Sequence, residues 1–280
     1  MAPKVPLKVG LSPCPNDTFI FGPLIQGYVK ASFPYEFVLE DVEALNLRAL
    51  EGLFPVTKLS FGVLPETLDT YELLPTGAAL GYGCGPLLVA KSPQLDLTGA
   101  RVAVPGLHTT AYLLLRFYAG EVKEIIALRY DEIIPALKNG KADAGLLIHE
   151  GRFVYRRHGL YALVDLGKWW EEKTGLPLPL GGIFVRRNLP PKTKTLILED
   201  LRASLHFARE NLSRIWDFIC QHARELQPEI IQKHIETFVN RFTFELGQEG
   251  REAIMAFVNL LEENGLLRER RPLFFEEGKF

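Results

Sequence analysis

Lys8-Val9-Gly10-Leu11 runs into Ser12-Pro13-Cys14-Pro15-Asn16-Asp17, and Arg101-Val102-Ala103-Val104 runs into Pro105-Gly106-Leu107-His108-Thr109-Thr110. Each stretch is a short apolar run, a break rich in Pro or Gly, and then polar residues suited to cap a helix. The continuations also match. The first predicts a helix over 18–29 with Asn16 and Asp17 as caps, a strand over 35–40, a helix capped by Asp41 that ends near Gly52, and a strand over 56–60. The second predicts a helix over 111–118 stopped by Gly120, a strand over 124–129, a helix capped by Asp131 that ends near Gly140, and a strand over 144–148 with His149 directly behind it.

Two units of the order βαβαβ, about 90 residues apart, imply two lobes of related architecture with partly parallel sheets and right-handed crossovers. The segments 85–91 and 181–187 lie where the chain would leave the first lobe and later return, and they are expected to be paired hinge strands. From about Thr193 the spacing is helical over 196–211, 212–224, 229–240 and 249–264, with Gly265 as a stop. These helices are expected to pack back on the first lobe. The fold class expected is α/β: a two-lobed type-two periplasmic-binding-protein-like fold, each lobe a mixed sheet flanked by helices, joined by two hinge strands. The large lobe would comprise 1–90 and 188–280, the small lobe 91–187. The tail with Phe274, Phe275 and Phe280 either docks or frays.

Composition narrows the function classes. The chain has 280 residues, of which 47% are hydrophobic and 24% charged, enough apolar material for two modest cores without a staple. Net charge is −2, and the short run 268–271 is interrupted by Glu269, so a phosphate-tracking face for nucleic acid is not expected. The three cysteines, Cys14, Cys84 and Cys220, have neither zinc nor thioredoxin spacing, which favours a reducing compartment. The opening residues show no export signal, and no apolar run approaches the roughly 20 residues of a membrane span. A cytoplasmic location is expected, and a second copy of the chain, as a homodimer, is left open. With no P-loop, no G-x-G-x-x-G after a strand, no G-x-S-x-G and no metal-spaced set, no cofactor and no metal are expected.

In open sheets, ligands gather outside the carboxyl ends of strands, near helix N-termini. Four segments meet that condition: 12–17, 58–60, 108–110, and His149 with Glu150. Thr109 and Thr110 open a helix and suit a carboxylate, although a plain cap explains them as well. Lys58 offers a cation and Ser60 a hydroxyl, although a solvated lysine is the plainer explanation. His149 suits proton abstraction, and His108 is its rival in the same gap. Asn16, Asp17 and Asn46 are further polar candidates, each equally explained by turn or cap duty. His158, His206, His222 and His234 fall in polar or helical stretches and are set aside. Trp169 or Trp170 shields an aromatic ligand or packs in the core.

Taken together, Ser12 to Phe19, 39–43, 57–60, 104–112, 147–150 and 165–172 resemble the signature segments of the 1,4-dihydroxy-6-naphthoate synthases of the futalosine route to menaquinone. The resemblance covers nearly the whole chain, is strongest over 7–187, and shows no departure at the positions that matter. It implies a carbon–carbon lyase acting on cyclic dehypoxanthinylfutalosine, a small carboxylate, with 1,4-dihydroxy-6-naphthoate and dihydroxyacetone as products. It also implies His149 as proton acceptor and contacts to substrate from Lys58, Leu59, Ser60, Thr109 and Thr110. A solute receptor, the sibling chorismate dehydratase and a ligand-sensing module share the fold. The missing export signal, the segments 12–19 and 147–150, and the lack of a helix-turn-helix count against them in turn.

Overall fold

The computed structural model describes residues 5–224, 227–267 and 269–278. The chain begins β1 (Leu7–Leu11), α1 (Pro15–Ile25), β2 (Tyr35–Leu39), α2 (Val42–Leu50), β3 (Val56–Ser60), α3 (Leu64–Thr67), β4 (Tyr71–Leu73) and β5 (Ala79–Gly81). It crosses to β6 (Leu87–Ala90), β7 (Arg101–Val104), α4 (Thr110–Ala119), β8 (Glu124–Ala127), α5 (Ile133–Lys138), β9 (Ala144–Leu147), α6 (Gly151–Val154), β10 (Tyr161–Asp165) and α7 (Leu166–Thr174). It returns through β11 (Leu178–Arg186) to α8 (Pro191–Glu210), α9 (Leu212–His222), α10 (Pro228–Phe238), α11 (Arg241–Phe244) and α12 (Gly247–Glu263).

These strands form two mixed sheets flanked by helices, as the twofold pattern predicted. The first has the order β2-β1-β3-β11-β4, with β5 also on β11; the second has the order β10-β6-β9-β7-β8. In each, three βαβαβ strands run parallel, β2-β1-β3 and β8-β7-β9, so their carboxyl ends share one edge. Strands β3 and β9 are buried throughout, the mark of parallel strands covered on both faces.

The hinge differs from expectation. The segments 85–91 and 181–187 do not pair with each other. Strand β6 lies in the second sheet, antiparallel to β9 and β10, while the nine-residue β11 lies in the first, antiparallel to β3, β4 and β5. The strands that do pair beside the crossover are β5 and β11, through Gly81 with Leu178 and Leu80 with Pro179. Hydrogen-bond partners thus assign 87–90 to the second sheet and 178–186 to the first. At that crossing Gly85 meets Gly167: a Cβ on Gly85 would fall 2.2 Å from the Gly167 backbone.

Local starts differ too. Helix α1 begins at Pro15 with Cys14 as cap, so Asn16 and Asp17 sit inside its first turn instead of capping it. Pro15 supplies a φ suited to a helix and lacks the N–H that would go unbonded there. Asp41 does cap α2, accepting from Glu43 N and Ala44 N. Asp131 does not cap α5; it lies in the preceding tight turn and pairs with Arg129. The C-terminal helices cover the first lobe: α8, α9 and α10 all lie on α1, and α12 lies on β11. The tail docks there. Phe275 N donates to Leu73 O at 2.8 Å, and Phe275 is buried. Arg268 and Phe280 lie outside the described residues. Among those described, no helix is long and apolar enough to cross a membrane.

Replacing Gly85 with Ala forces two backbones apart at the crossover. We expect a loss of about 1–3 kcal/mol in urea or thermal unfolding, the usual range for overpacking; unchanged stability would show that the crossing yields freely.

Candidate active site

The facing carboxyl edges line a cavity with about 670 Å³ of empty space, part of it open to solvent. The first sheet contributes Ser12 and Asn16 from the β1–α1 junction, Lys58, Leu59 and Ser60 from β3, and Leu180 and Gly181 from β11. The second contributes Thr109 and Thr110 at the start of α4, and Ile148, His149 and Arg152 beyond β9. Seven of the nine residues expected at the site therefore line one cavity.

Asp17 and Asn46 do not line it. Both are fully buried behind the wall. Asp17 accepts from Ser12 N at 3.0 Å, Ser12 Oγ at 2.7 Å and Asn16 Nδ2 at 2.8 Å, and its carboxylate lies 3.1 Å from Lys58 Nζ. Asn46 accepts from Ser60 N at 3.0 Å and donates to His108 O at 3.2 Å. Their work is to hold Lys58 and Ser60. Short polar residues next to a strand end read the same from sequence whether they face the gap or the wall.

The edges also touch. Thr110 N donates to Ser60 Oγ at 2.9 Å, Gly62 N donates to Thr110 Oγ1 at 3.1 Å, and Thr110 Oγ1 donates to Leu180 O at 2.7 Å. Thr109 caps α4 through Tyr112 N. The start of α4 was expected to be an open carboxylate seat; in this closed arrangement protein groups take part of its donors. A latch lies beside it. Glu43 accepts from Leu107 N at 2.9 Å and contacts His108 Nδ1 at 2.8 Å. His108, the rival base, is thereby engaged in closure.

His149 has φ +51°. Among the described residues it is the one non-glycine with positive φ, a conformation in which histidine is enriched but which still costs free energy. Its Nε2 lies 3.7 Å from Cys14 Sγ, and its ring lies between Tyr130, 4.8 Å away, and His234, 5.8 Å away. Burial pulls its pKa down to about 4, against a smaller opposing pull from Asp17. The ring is therefore neutral near pH 7 and able to accept a proton. Burial pushes the Cys14 thiol well up, so it stays protonated.

Sequence reasoning missed Arg152 and His234. Arg152 stands three residues past His149, donates to Gly83 O and lies 3.7 Å from Asp165, bringing a second cation to the cavity beside the crossover. His234 was set aside as a helical residue, yet it is fully buried next to His149. The signal was present: Ile230, Ile231, His234, Ile235 and Phe238 form one buried stripe of α10. Neither tryptophan reaches the cavity. Trp170 is buried against Phe257 and donates to Pro177 O, and Trp169 rests on Tyr118.

The whole chain finds relatives. A family model described as menaquinone biosynthesis matches residues 7–263. The chain belongs to the menaquinone-biosynthesis family. It is 49% identical to the 1,4-dihydroxy-6-naphthoate synthase of Thermus thermophilus, over 96% of this chain and 98% of that one. It is 42% identical to the enzyme of the same name from Streptomyces coelicolor, over 95% and 96% of the two chains. Like these relatives, it is an enzyme. A crystal structure of an Archaeoglobus fulgidus protein superposes with a TM-score of 0.89 at 35% identity, covering 93% of this chain and 98% of that one. A Candida albicans protein with the generic periplasmic binding protein fold superposes at 0.67, with 14% identity, covering 96% and 93%. The last likeness concerns the fold alone and bears out the two-lobed architecture.

Gly62 sets how closely the edges approach: a Cβ there would fall 2.3 Å from the Thr109 carbonyl carbon. Gly62→Ala should leave each sheet intact but hold the lobes apart. Small-angle scattering should show a larger radius of gyration than wild type, and an unchanged radius would sink this reading of the contact.

Proposed function

We propose that the chain is a carbon–carbon lyase that converts cyclic dehypoxanthinylfutalosine into 1,4-dihydroxy-6-naphthoate and dihydroxyacetone. The observation that carries the reading is a buried, neutral imidazole, His149, held in a strained backbone conformation at a cavity also lined by Lys58, Ser60, Thr109 and Thr110. The substrate's aromatic carboxylate would lie toward the start of α4 and the Lys58 ammonium, and its hydroxyls toward Ser60 and Thr109.

In this mechanism His149 takes a proton from a substrate hydroxyl. The resulting alkoxide becomes a carbonyl as the carbon–carbon bond breaks, the electron pair passes into the ring system, and aromatisation drives the step. The imidazolium then returns its proton. Lobe closure keeps water out and the base in reach. The chemistry needs a base that is free at neutral pH, which the low pKa of His149 provides. Three free cysteines support a reducing, cytoplasmic setting.

Purified protein incubated with the cyclic futalosine should yield the naphthoate by mass spectrometry; no product under conditions where a curated relative turns over would overturn the reading. His149→Asn should lower kcat by about 10² or more while substrate still binds, since general-base contributions are of that size.

The pH dependence follows from the same group. Only the neutral ring accepts a proton, so kcat, which reports the closed complex, should fall on the acid side near pH 4 and not near 6.5. Stability should move with it. Between 6.5 and about 4 the unfolded chain binds a proton at this site that the folded chain does not, so stability drops as pH falls through that window. Denaturant titrations of wild type and His149→Asn across that range should diverge.

A further inference from the structure

His234 takes no part in the chemistry above. It is fully buried on α10, which lies against α1 and β5 of the first lobe. His149 follows β9 of the second sheet. Yet the two rings are within 10° of parallel, with centroids 5.8 Å apart. The stack bridges the lobes, and opening them would part it.

A hydrogen bond fixes the proton on His234. Asn16 Nδ2 donates to Asp17, and an ionised carboxylate only accepts. The Asn16 amide oxygen therefore faces His234, and Nε2 of His234 is the donor, at 3.0 Å. Through Asn16 this bond reaches Asp17 and the Lys58 ammonium. A buried imidazole with such a bond is costly to replace by an aliphatic side chain, because Asn16 would lose its partner.

We propose that His234 is a positioning residue for the base: once the lobes close it braces the His149 ring, and through Asn16 it orients Asp17 and Lys58 on the opposite wall. The inference rests on His149 as the base. The ionisable groups around the pair come from several elements. Cys14 and Asp17 belong to the start of α1, Lys58 to β3, and Asp41 to the cap of α2. Tyr130 precedes α5, and Glu150 and Arg152 lie at α6, with Glu150 3.7 Å from His234 Nδ1. Burial, followed by the neighbouring His149, holds the pKa of His234 well below the ordinary range. The neighbour thus stays neutral while His149 gains its proton, and His234 adds no positive charge to that of Lys58 against the transfer.

Two substitutions separate the parts of this role. His234→Gln keeps a donor for Asn16 and removes the ring. It should lower kcat about tenfold or more, with KM within about threefold, because the base loses its alignment. It should also move the acid limb of kcat upward from near pH 4, because water reaches His149. His234→Phe keeps the ring and removes the donor; it should leave the acid limb in place and raise KM several-fold. His149→Asn is the reference: near-normal turnover there removes the base itself. If His149→Asn is inactive while both His234 variants match wild type in kcat, KM and pH profile, the positioning role is overturned.

A measurement on the unaltered protein decides the matter if the variants fold poorly. With ¹⁵N-labelled histidine, His234 should stay in the neutral Nε2–H form from about pH 5 to 8. An imidazolium or an Nδ1–H tautomer in that range would overturn the proposal.

Discussion

A lysine and an aspartate, both almost without solvent, set the terms for the rest of this site. Lys58 and Asp17 lie 3.1 Å apart and are only 5% and 0% exposed. Each ion loses several kcal/mol of hydration on burial, and the pair is tolerated only if the remaining polar atoms are satisfied. The fold meets this at Asp17 with two bonds from Ser12 and one from Asn16. Helix α1 begins at Pro15, ahead of the expected caps. The earlier start turns the Asp17 carboxylate back under the β1–α1 junction, where it meets the strand that carries Lys58.

From this pair the polar order spreads in two directions. Through Asn16 it reaches His234 and the ring of His149, so the first lobe touches the imidazole of the second. Through β3 it reaches Ser60, whose hydroxyl accepts from the first N–H of α4. Asn46 and Glu43 hold the outside of the same seam. In this two-lobed fold one buried ring, that of His149, sits at such a seam. Burial lowers the pKa of His149 and strengthens the electrostatic interactions around it.

The twofold strand pattern was legible because each buried parallel strand is a short apolar run followed by Pro, Gly or a capping residue. The segments 56–60 and 101–104 match the observed strands without change. The hinge was misread because 85–91 and 181–187 look alike locally. Which sheet accepts their backbone groups depends on β9, β10, β3 and β5, far away in sequence. Seven of the nine expected residues line the cavity because strand ends and helix starts are visible in sequence. Asp17 and Asn46 were placed on the wrong side of the wall, since a polar side chain near a strand end does not announce which way it turns.

The sequence by itself determined the class of fold, the strand ends that could carry chemistry, and the family, because these depend on local periodicity, turn residues and long motifs. Tertiary structure alone decided which polar residues face the cavity and which support it. It also decided that Arg152 lines the cavity, that His234 lies against the His149 ring, and that burial draws the pKa of His149 down. Those properties arise from burial and from partners brought together across two lobes, such as residues 16 and 234, and no stretch of chain contains them.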